Sequence, residues 1–264
     1  MLFRSYIAGQ GGGDWLLGGA GNDLLAGDTG ADWLFDVEGS NLLWGREGGD
    51  SLYDGGGNAL LIGGAGNDRI TLGGGRDVIA FNRGDGRDVV RGPGAATLSL
   101  GGGIRPEDLA LRKSGDHLVL EAGNGERITF RDWYADPLAQ SVLDMQLINE
   151  VMQGGVSGRD DVLGDQPVEM FDFRAIVAAF DEARAMNANL GRWQILDALY
   201  QAEPRGFDNL AAGGDLAYQY GLRGTLAGVS VGSAQSVLGS ARFGSAAQPL
   251  SPFDALGEGV VKLG

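Results

Sequence analysis

The chain has no cysteine and a single histidine, His117, in 264 residues. No disulfide can staple it, and no thiolate or multi-imidazole site can form, which excludes the usual zinc centres. It also lacks any run of about 18 apolar residues, the length a helix needs to cross a bilayer, and Met1 to Gln10 hold no apolar stretch of signal-peptide length. These absences leave a cytoplasmic protein, a fragment of something larger, or export by a route whose signal is not N-terminal. Basic residues are few, 20 against 35 acidic ones, giving a net charge of −15. Such a charge repels phosphate backbones and anionic headgroups, so nucleic acid is excluded as a partner and no stable membrane span is expected.

Glycine is in excess, with 49 residues, and the glycines keep register. From Gly9, eight consecutive nine-residue units begin at positions 9, 18, 27, 36, 45, 54, 63 and 72 without insertion. The fourth position is glycine in every unit, from Gly12 and Gly21 to Gly66 and Gly75. The eighth is Leu16, Leu25, Leu34, Leu43, Leu52, Leu61, Ile70 and Ile79, and the sixth is Asp14, Asp23, Asp32, Asn41, Asp50, Ala59, Asp68 and Asp77. A glycine-rich hexad suits strained or left-handed backbone and reads as a turn, while the triplet around one aliphatic residue reads as a short strand. Side chains alternate across a strand, so the eighth position points inward and its neighbours outward. One interior residue per unit cannot make a core alone; stacked units build an aliphatic ladder.

Units such as Gly63-Gly64-Ala65-Gly66-Asn67-Asp68-Arg69-Ile70-Thr71 match the nonapeptide GGxGxDxUx, and the chain resembles the RTX, haemolysin-type calcium-binding, proteins. The resemblance implies a mainly β chain built on a parallel β-roll with two repeats per coil, so that alternate units stack on one side. It places Ca2+ between stacked turns, held by turn carbonyls and sixth-position aspartates. On the odd side these are Asp14, Asp32, Asp50 and Asp68, with Gly9, Gly12, Gly27, Gly30, Gly45, Gly48, Gly63 and Gly66 in the same turns. Asp88, in the offset segment after the repeats, is expected to extend that row, and Asp85 of the same segment is a further candidate metal ligand. The even side reads Asp23, Asn41, Ala59 and Asp77, so calcium is expected to be sparse there. A hard cation taking six to eight oxygens suits carbonyl-rich turns with carboxylates, and aspartates stacked at strand spacing repel one another without it. Folding and metal binding are then one event.

Three regions are expected: a roll over 1–91, a β-rich cap over 92–154, and a partly helical tail over 155–264 that carries a type I secretion signal. Leu98 to Leu100, Leu118 to Leu120 and Ile128 to Phe130 read as antiparallel strands. Gly155 to Leu163 matches the nonapeptide once more and reads as a remnant linker. Phe173, Ile176, Val177 and Phe180 share a helical face, and Trp193, Leu196, Leu199 and Tyr200 suggest a second helix ending before Pro204. The seventh and ninth positions of the even side, Leu24, Leu42, Leu60, Val78, Trp44 and Ile62, form an outward apolar ladder, on which the helix around Phe173 is expected to dock. Gly213 to Gly221 and the tail resemble the C-terminal regions of large RTX proteins, where the uncleaved type I signal lies.

Gly228-Val229-Ser230-Val231-Gly232 fits a nucleophile-elbow pattern, but His117 precedes the serine, the wrong order for that fold. No glycine-rich hexad opens a helix after a lone strand, as a dinucleotide site requires, and no EF-hand loop is present. The expectation is a non-enzymatic module, secreted or at the cell surface, that folds on calcium after type I export and serves a larger toxin, adhesin or hydrolase. Its partners are calcium ions, the type I machinery and upstream domains, because Tyr6-Ile7-Ala8 already falls in strand register. The rival is an adhesive or lectin-like module using Trp15, Trp33, Phe35 and Tyr53, which project outward from the odd side.

Overall fold

The computed structural model describes residues 5–149, 163, 166–202, 210–244, 248–251, 253–259 and 261–264. Each repeat contributes one turn and one strand: β1 (Tyr6–Ala8), β2 (Trp15–Leu17), β3 (Leu24–Thr29), β4 (Trp33–Asp36), β5 (Leu42–Gly48), β6 (Ser51–Asp54), β7 (Leu60–Gly66), β8 (Arg69–Thr71), β9 (Arg76–Asn82), β10 (Arg87–Arg91) and β11 (Ala95–Gly101). Odd-numbered strands join one sheet and even-numbered strands the other, so the chain winds between two faces as a parallel β-roll. Leu16, Leu34 and Leu52 pair in one sheet, and Leu25, Leu43 and Leu61 in the other. Their side chains meet between the sheets, 6% exposed at Leu16 and 1% or less at the rest. Burial of this ladder, at about 1.5–3 kcal/mol per aliphatic side chain, is the main apolar driving force within the roll.

Past Ile79 the spacing drifts. Ile70 pairs with Val90, and Ile79 with Leu98, so two and one extra residues have entered the coil. Segment 95–101 is not the antiparallel strand expected from its alternation; β11 pairs in parallel with β9 and closes a further coil. Alternation marks a strand with one buried face but is silent on its direction, and the broken period hid the repeat.

Beyond β11 the two sheets run on into the cap. Strands β12 (Leu109–Ser114), β13 (His117–Ala122) and β14 (Arg127–Phe130) form an antiparallel meander, and β14 also pairs in parallel with β10. Strand β15 (Val142–Ile148) extends the other sheet in parallel beside β11, and β16 (Val168–Asp172) pairs antiparallel with β15. The last coil is therefore covered rather than left as an open edge. Gly155 to Val162 lies outside the described residues; Leu163, the last residue of that ninth motif, is buried.

Helix α1 (Phe173–Met186) starts at an Asp172 cap that accepts from the Ala175 backbone N–H at 3.0 Å. Its buried face is Phe173, Ile176, Val177 and Phe180, the face expected from sequence, but it does not lie on the outward ladder. It joins the core cluster of the roll interior and cap, with Phe173 against Phe130 and Trp133 at ring distances of 5.5 and 6.0 Å. The ladder of Leu24, Leu42, Trp44, Leu60, Ile62 and Val78 is buried instead by the last part of the chain. Leu216, Ala217 and Tyr220 of α3 cover it together with Val229, Ala234, Leu238 and Phe243. Here α2 is Leu196–Gln201, α3 is Gly214–Arg223 and α4 is Val231–Leu238. The choice of helix follows shape: a Cβ on Gly101 would collide with the Gly221 Cα, and the Gly102 N–H donates to the Gly221 carbonyl at 2.6 Å. The small residues of α3 let it lie on the sheet backbone, where the bulkier face of α1 finds no such fit. No helix among the described residues is long and apolar enough to cross a membrane.

Candidate calcium sites

The odd turns, residues 9–14, 27–32, 45–50 and 63–68, stack along one edge of the roll. Each sixth-position carboxylate divides its two oxygens between two tasks. One oxygen holds register: Asp32 Oδ1 accepts from the Asp14 N–H at 2.8 Å, Asp50 Oδ1 from the Asp32 N–H at 2.8 Å, and Asp68 Oδ1 from the Asp50 N–H at 2.7 Å. The other oxygen, Oδ2 of Asp14, Asp32, Asp50 and Asp68, is buried without a hydrogen-bond partner. Asp88 continues the pattern of register bonds, accepting from the Asp68 N–H at 2.9 Å across a 20-residue interval.

The free oxygen is directed at the start of its own turn. A Cβ on Gly27 would lie 2.6 Å from Asp32 Oδ2 and 2.8 Å from the Gly45 carbonyl oxygen; on Gly9 it would lie 2.9 Å from Asp14 Oδ2 and 2.8 Å from the Gly27 carbonyl. Carboxylate and carbonyl oxygens of successive coils thus gather around each first-position glycine. The fourth-position glycine closes the turn by close approach. Gly48 has φ +140°, and a Cβ there would run into the Gly30 carbonyl. Among the described residues no three acidic, histidine or cysteine side chains cluster as a metal site. A cation held here draws most of its ligands from backbone carbonyls, the donor set that calcium accepts. An unpartnered buried carboxylate oxygen costs free energy that a divalent cation removes, so these residues fit Ca2+.

Electrostatics point the same way. Burial raises the Asp32 carboxyl above its usual range, and pushes Asp50 up to about 6, Asp68 to about 7 and Asp88 to about 9. The next carboxylate along the row raises each further, and the backbone N–H on Oδ1 pulls back down. No ion pair among the described residues neutralises the row.

Along the even edge, Asp23 and Asp77 each keep an unpartnered buried Oδ2, and burial pushes Asp77 up to about 8. Asn41 Oδ1 accepts from the Asp23 N–H at 2.9 Å, so the amide keeps the register bond without the charge. Two carboxylates missed in the sequence stand beside these positions. Asp36 and Asp54, at the first position of their turns, are 0% exposed; Asp36 Oδ2 and both Asp54 oxygens lack hydrogen-bond partners. Burial pushes both up to about 6, and the nearby Asn41 amide eases each slightly. The signal was present: aspartate replaces first-position glycine only in the two units whose sixth position is Asn41 or Ala59.

Asp85 departs from the row. Its Oδ2 accepts from the Asn82 N–H at 2.7 Å, and the Tyr220 hydroxyl lies 3.1 Å from both carboxylate oxygens, so a tail helix occupies the group expected to face calcium. Ser230 caps α4, accepting from the Ser233 N–H at 3.0 Å and donating to the Ser233 hydroxyl at 2.8 Å. His117 Nδ1 accepts from the Asp132 N–H at 3.0 Å. On the odd-side sheet Trp15 stacks on Trp33 at 4.9 Å and Phe35 on Tyr53 at 4.6 Å, all four exposed.

The RTX calcium-binding nonapeptide repeat matches the chain in 4 copies, at residues 8–43, 35–58, 44–79 and 53–90. Residues 8–90 carry the RTX repeat. The match begins at the end of β1 and ends at β10, so the RTX array comprises the coils whose turns carry the carboxylates; the cap and tail lie outside it. A comparison with curated proteins finds no match.

Proposed function

We propose that the chain is the calcium-dependent folding module of a protein exported by a type I system, and that its tail carries the export signal. The observation that carries the calcium reading is the row of buried, unpartnered Oδ2 atoms of Asp14, Asp32, Asp50 and Asp68 over stacked turn carbonyls. Asp32, Asp50 and Asp68 each hold the preceding coil in register through Oδ1 and offer the free Oδ2 to a cation. Carbonyls of Gly27, Gly45 and Gly63 complete the set, and Asp88 closes the row beside the cap. Calcium near the millimolar level outside the cell fills such sites, while the low-calcium cytosol leaves the array unfolded and fit to be threaded through an exporter. The module supplies folding rather than catalysis to a larger toxin, adhesin or hydrolase. Co-expression with a type I exporter tests the export half. The full chain is expected in the medium and a chain ending at residue 209 in the cytosol; equal export of both would overturn the assignment of the signal.

The stacked, exposed aromatics favour a second reading, an adhesive or lectin-like face, because flat ring ladders suit the faces of sugars. Binding of the calcium-loaded chain to a glycan array, lost in Trp15→Ala/Trp33→Ala, separates the readings.

A further inference from the structure

The odd-side sheet, formed by the even-numbered roll strands, carries on its outward face two columns of side chains that change character along the roll. One runs Trp15, Trp33, Ser51, Arg69, Val89 and Thr129, the other Leu17, Phe35, Tyr53, Thr71 and Arg91, each residue paired with the next across neighbouring strands. Aromatic residues fill the end at β2 and β4, and arginines take over at β8, β10 and β14. Arg87 and Arg127 pair beside the first column, and Arg131 follows β14 next to Arg91, donating its backbone N–H to the Val90 carbonyl at 2.9 Å. Arg69, Arg87, Arg91 and Arg131 are exposed and Arg127 is half-buried. Asp88 is the only acidic residue of these three strands, and it is buried. Arg69, Arg87, Arg91 and Arg127 make no ion pair among the described residues, and Arg131 reaches only Asp132, at 3.7 Å. Glu121, across from Arg127 on β13, is held instead by Arg112 and Arg192 at 3.3 and 2.7 Å. Arg87 and Arg91 are anchored through Nε, to the Gly125 carbonyl and the Thr71 hydroxyl, each at 3.1 Å.

We propose that this face binds an acidic polysaccharide lengthwise, its carboxylate or sulfate groups on Arg69, Arg87, Arg91, Arg127 and Arg131 and its rings against the aromatic end. This rests on the second reading above, the adhesive face, and names the class of glycan and the residues that select it. On a chain of net charge −15, arginines gathered on three adjacent strands make a surface of the opposite sign. The acidic remainder is screened beyond about 8–10 Å at physiological salt, so contact follows the local sign. All five cations are arginine, whose planar fork matches the paired oxygens of carboxylate and sulfate. Six strands at about 4.8 Å spacing give the columns a length of about 24 Å, room for several sugar rings in line. A membrane anchor would rim an apolar tip with cations; here the cations lie in line with the rings, and Trp15 and Trp33 stack flat, 4.9 Å apart and 3° from parallel.

Binding of the calcium-loaded full chain to immobilised chondroitin sulfate, followed by biolayer interferometry, tests this. The affinity is expected to fall steeply as sodium chloride rises from about 50 to about 200 mM. Arg87→Gln/Arg91→Gln/Arg127→Gln is expected to lose about tenfold in affinity, while Arg174→Gln, exposed on α1, leaves it unchanged. An affinity unchanged in the triple variant overturns the proposal. Equal binding of chondroitin sulfate and of its desulfated, carboxyl-reduced backbone overturns it too, but leaves a neutral-sugar reading of the aromatics standing if Trp15→Ala/Trp33→Ala abolishes that binding. Tighter binding to phosphatidylglycerol vesicles or to a single-stranded oligonucleotide overturns the choice of glycan, and binding to none of these overturns the surface and the second reading together. If the triple variant does not fold, the salt series decides: an affinity that does not fall with salt contradicts the proposal.

Discussion

A nonapeptide turn leaves each residue one backbone and one chemical task, which is why so much of the roll was legible. At Gly30 and Gly48 the fourth-position glycine is demanded by φ +140° and by the carbonyl stacked against it, and neither can be met by a side chain. Gly48→Ala is expected to lower the thermal midpoint of the calcium-loaded chain markedly, costing about 1–3 kcal/mol in backbone strain before the collision with Gly30 is counted. A midpoint unchanged in differential scanning calorimetry would show that the turn is not built this way. The carboxylates were legible only where they kept the sixth position. Asp36 and Asp54 escaped because the first position was read only as a turn glycine, and a register read position by position does not reveal which side chains the stacked coils bury.

Those carboxylates also set a pH dependence for the ion-free fold. Asp50, Asp68, Asp77 and Asp88 are held at about 6, 7, 8 and 9, above the 3.8 of an exposed aspartate, so the folded state prefers them protonated. As pH rises past about 4 the unfolded chain gives up these protons first, and the ion-free fold loses stability until the folded-state values are passed. In chelator, the β signal in circular dichroism is expected to be stronger at pH 5 than at pH 8. Calcium reverses the trend, since it binds the deprotonated oxygens, and its midpoint is expected to fall over the same range. A chelator signal that strengthens with pH would contradict the buried-row account.

Among the elements, the strands of the roll were recoverable from period alone, and the helices were recoverable as helices. Their destinations were not. A 3.6-residue apolar face says that a helix buries one side; it does not say against what. Phe173, Ile176, Val177 and Phe180 complete the aromatic cap, whereas α3 reaches the outward ladder because Ala217 and Gly221 permit close approach. Contacts such as the Asn82 amide to the Tyr220 carbonyl, 2.7 Å across 138 residues, leave no local trace in a sequence. The same long range hid the role of Asp85, whose carboxylate is claimed by Tyr220. Because the ladder is fully covered by the tail, Leu42→Asp is expected to release it: limited proteolysis should cut the region after residue 209 faster, with odd-row calcium binding retained. Unchanged cleavage would mean that the tail is held by the cap alone.

For the whole molecule, the buried carboxylates along the edges of the roll oppose at neutral pH the folding that apolar burial favours. The roll's aliphatic ladder drives the coils together and its acidic edges drive them apart, and under the proposed function the cation sets the balance. The chain has no cysteine, so no disulfide stabilises it, and under the proposed function calcium takes that part. Calcium titration of the full chain at neutral pH, followed by far-ultraviolet circular dichroism, tests the account most directly. It predicts a largely disordered repeat region in chelator and a cooperative gain of β signal as calcium rises; a spectrum that is the same with and without calcium would contradict it.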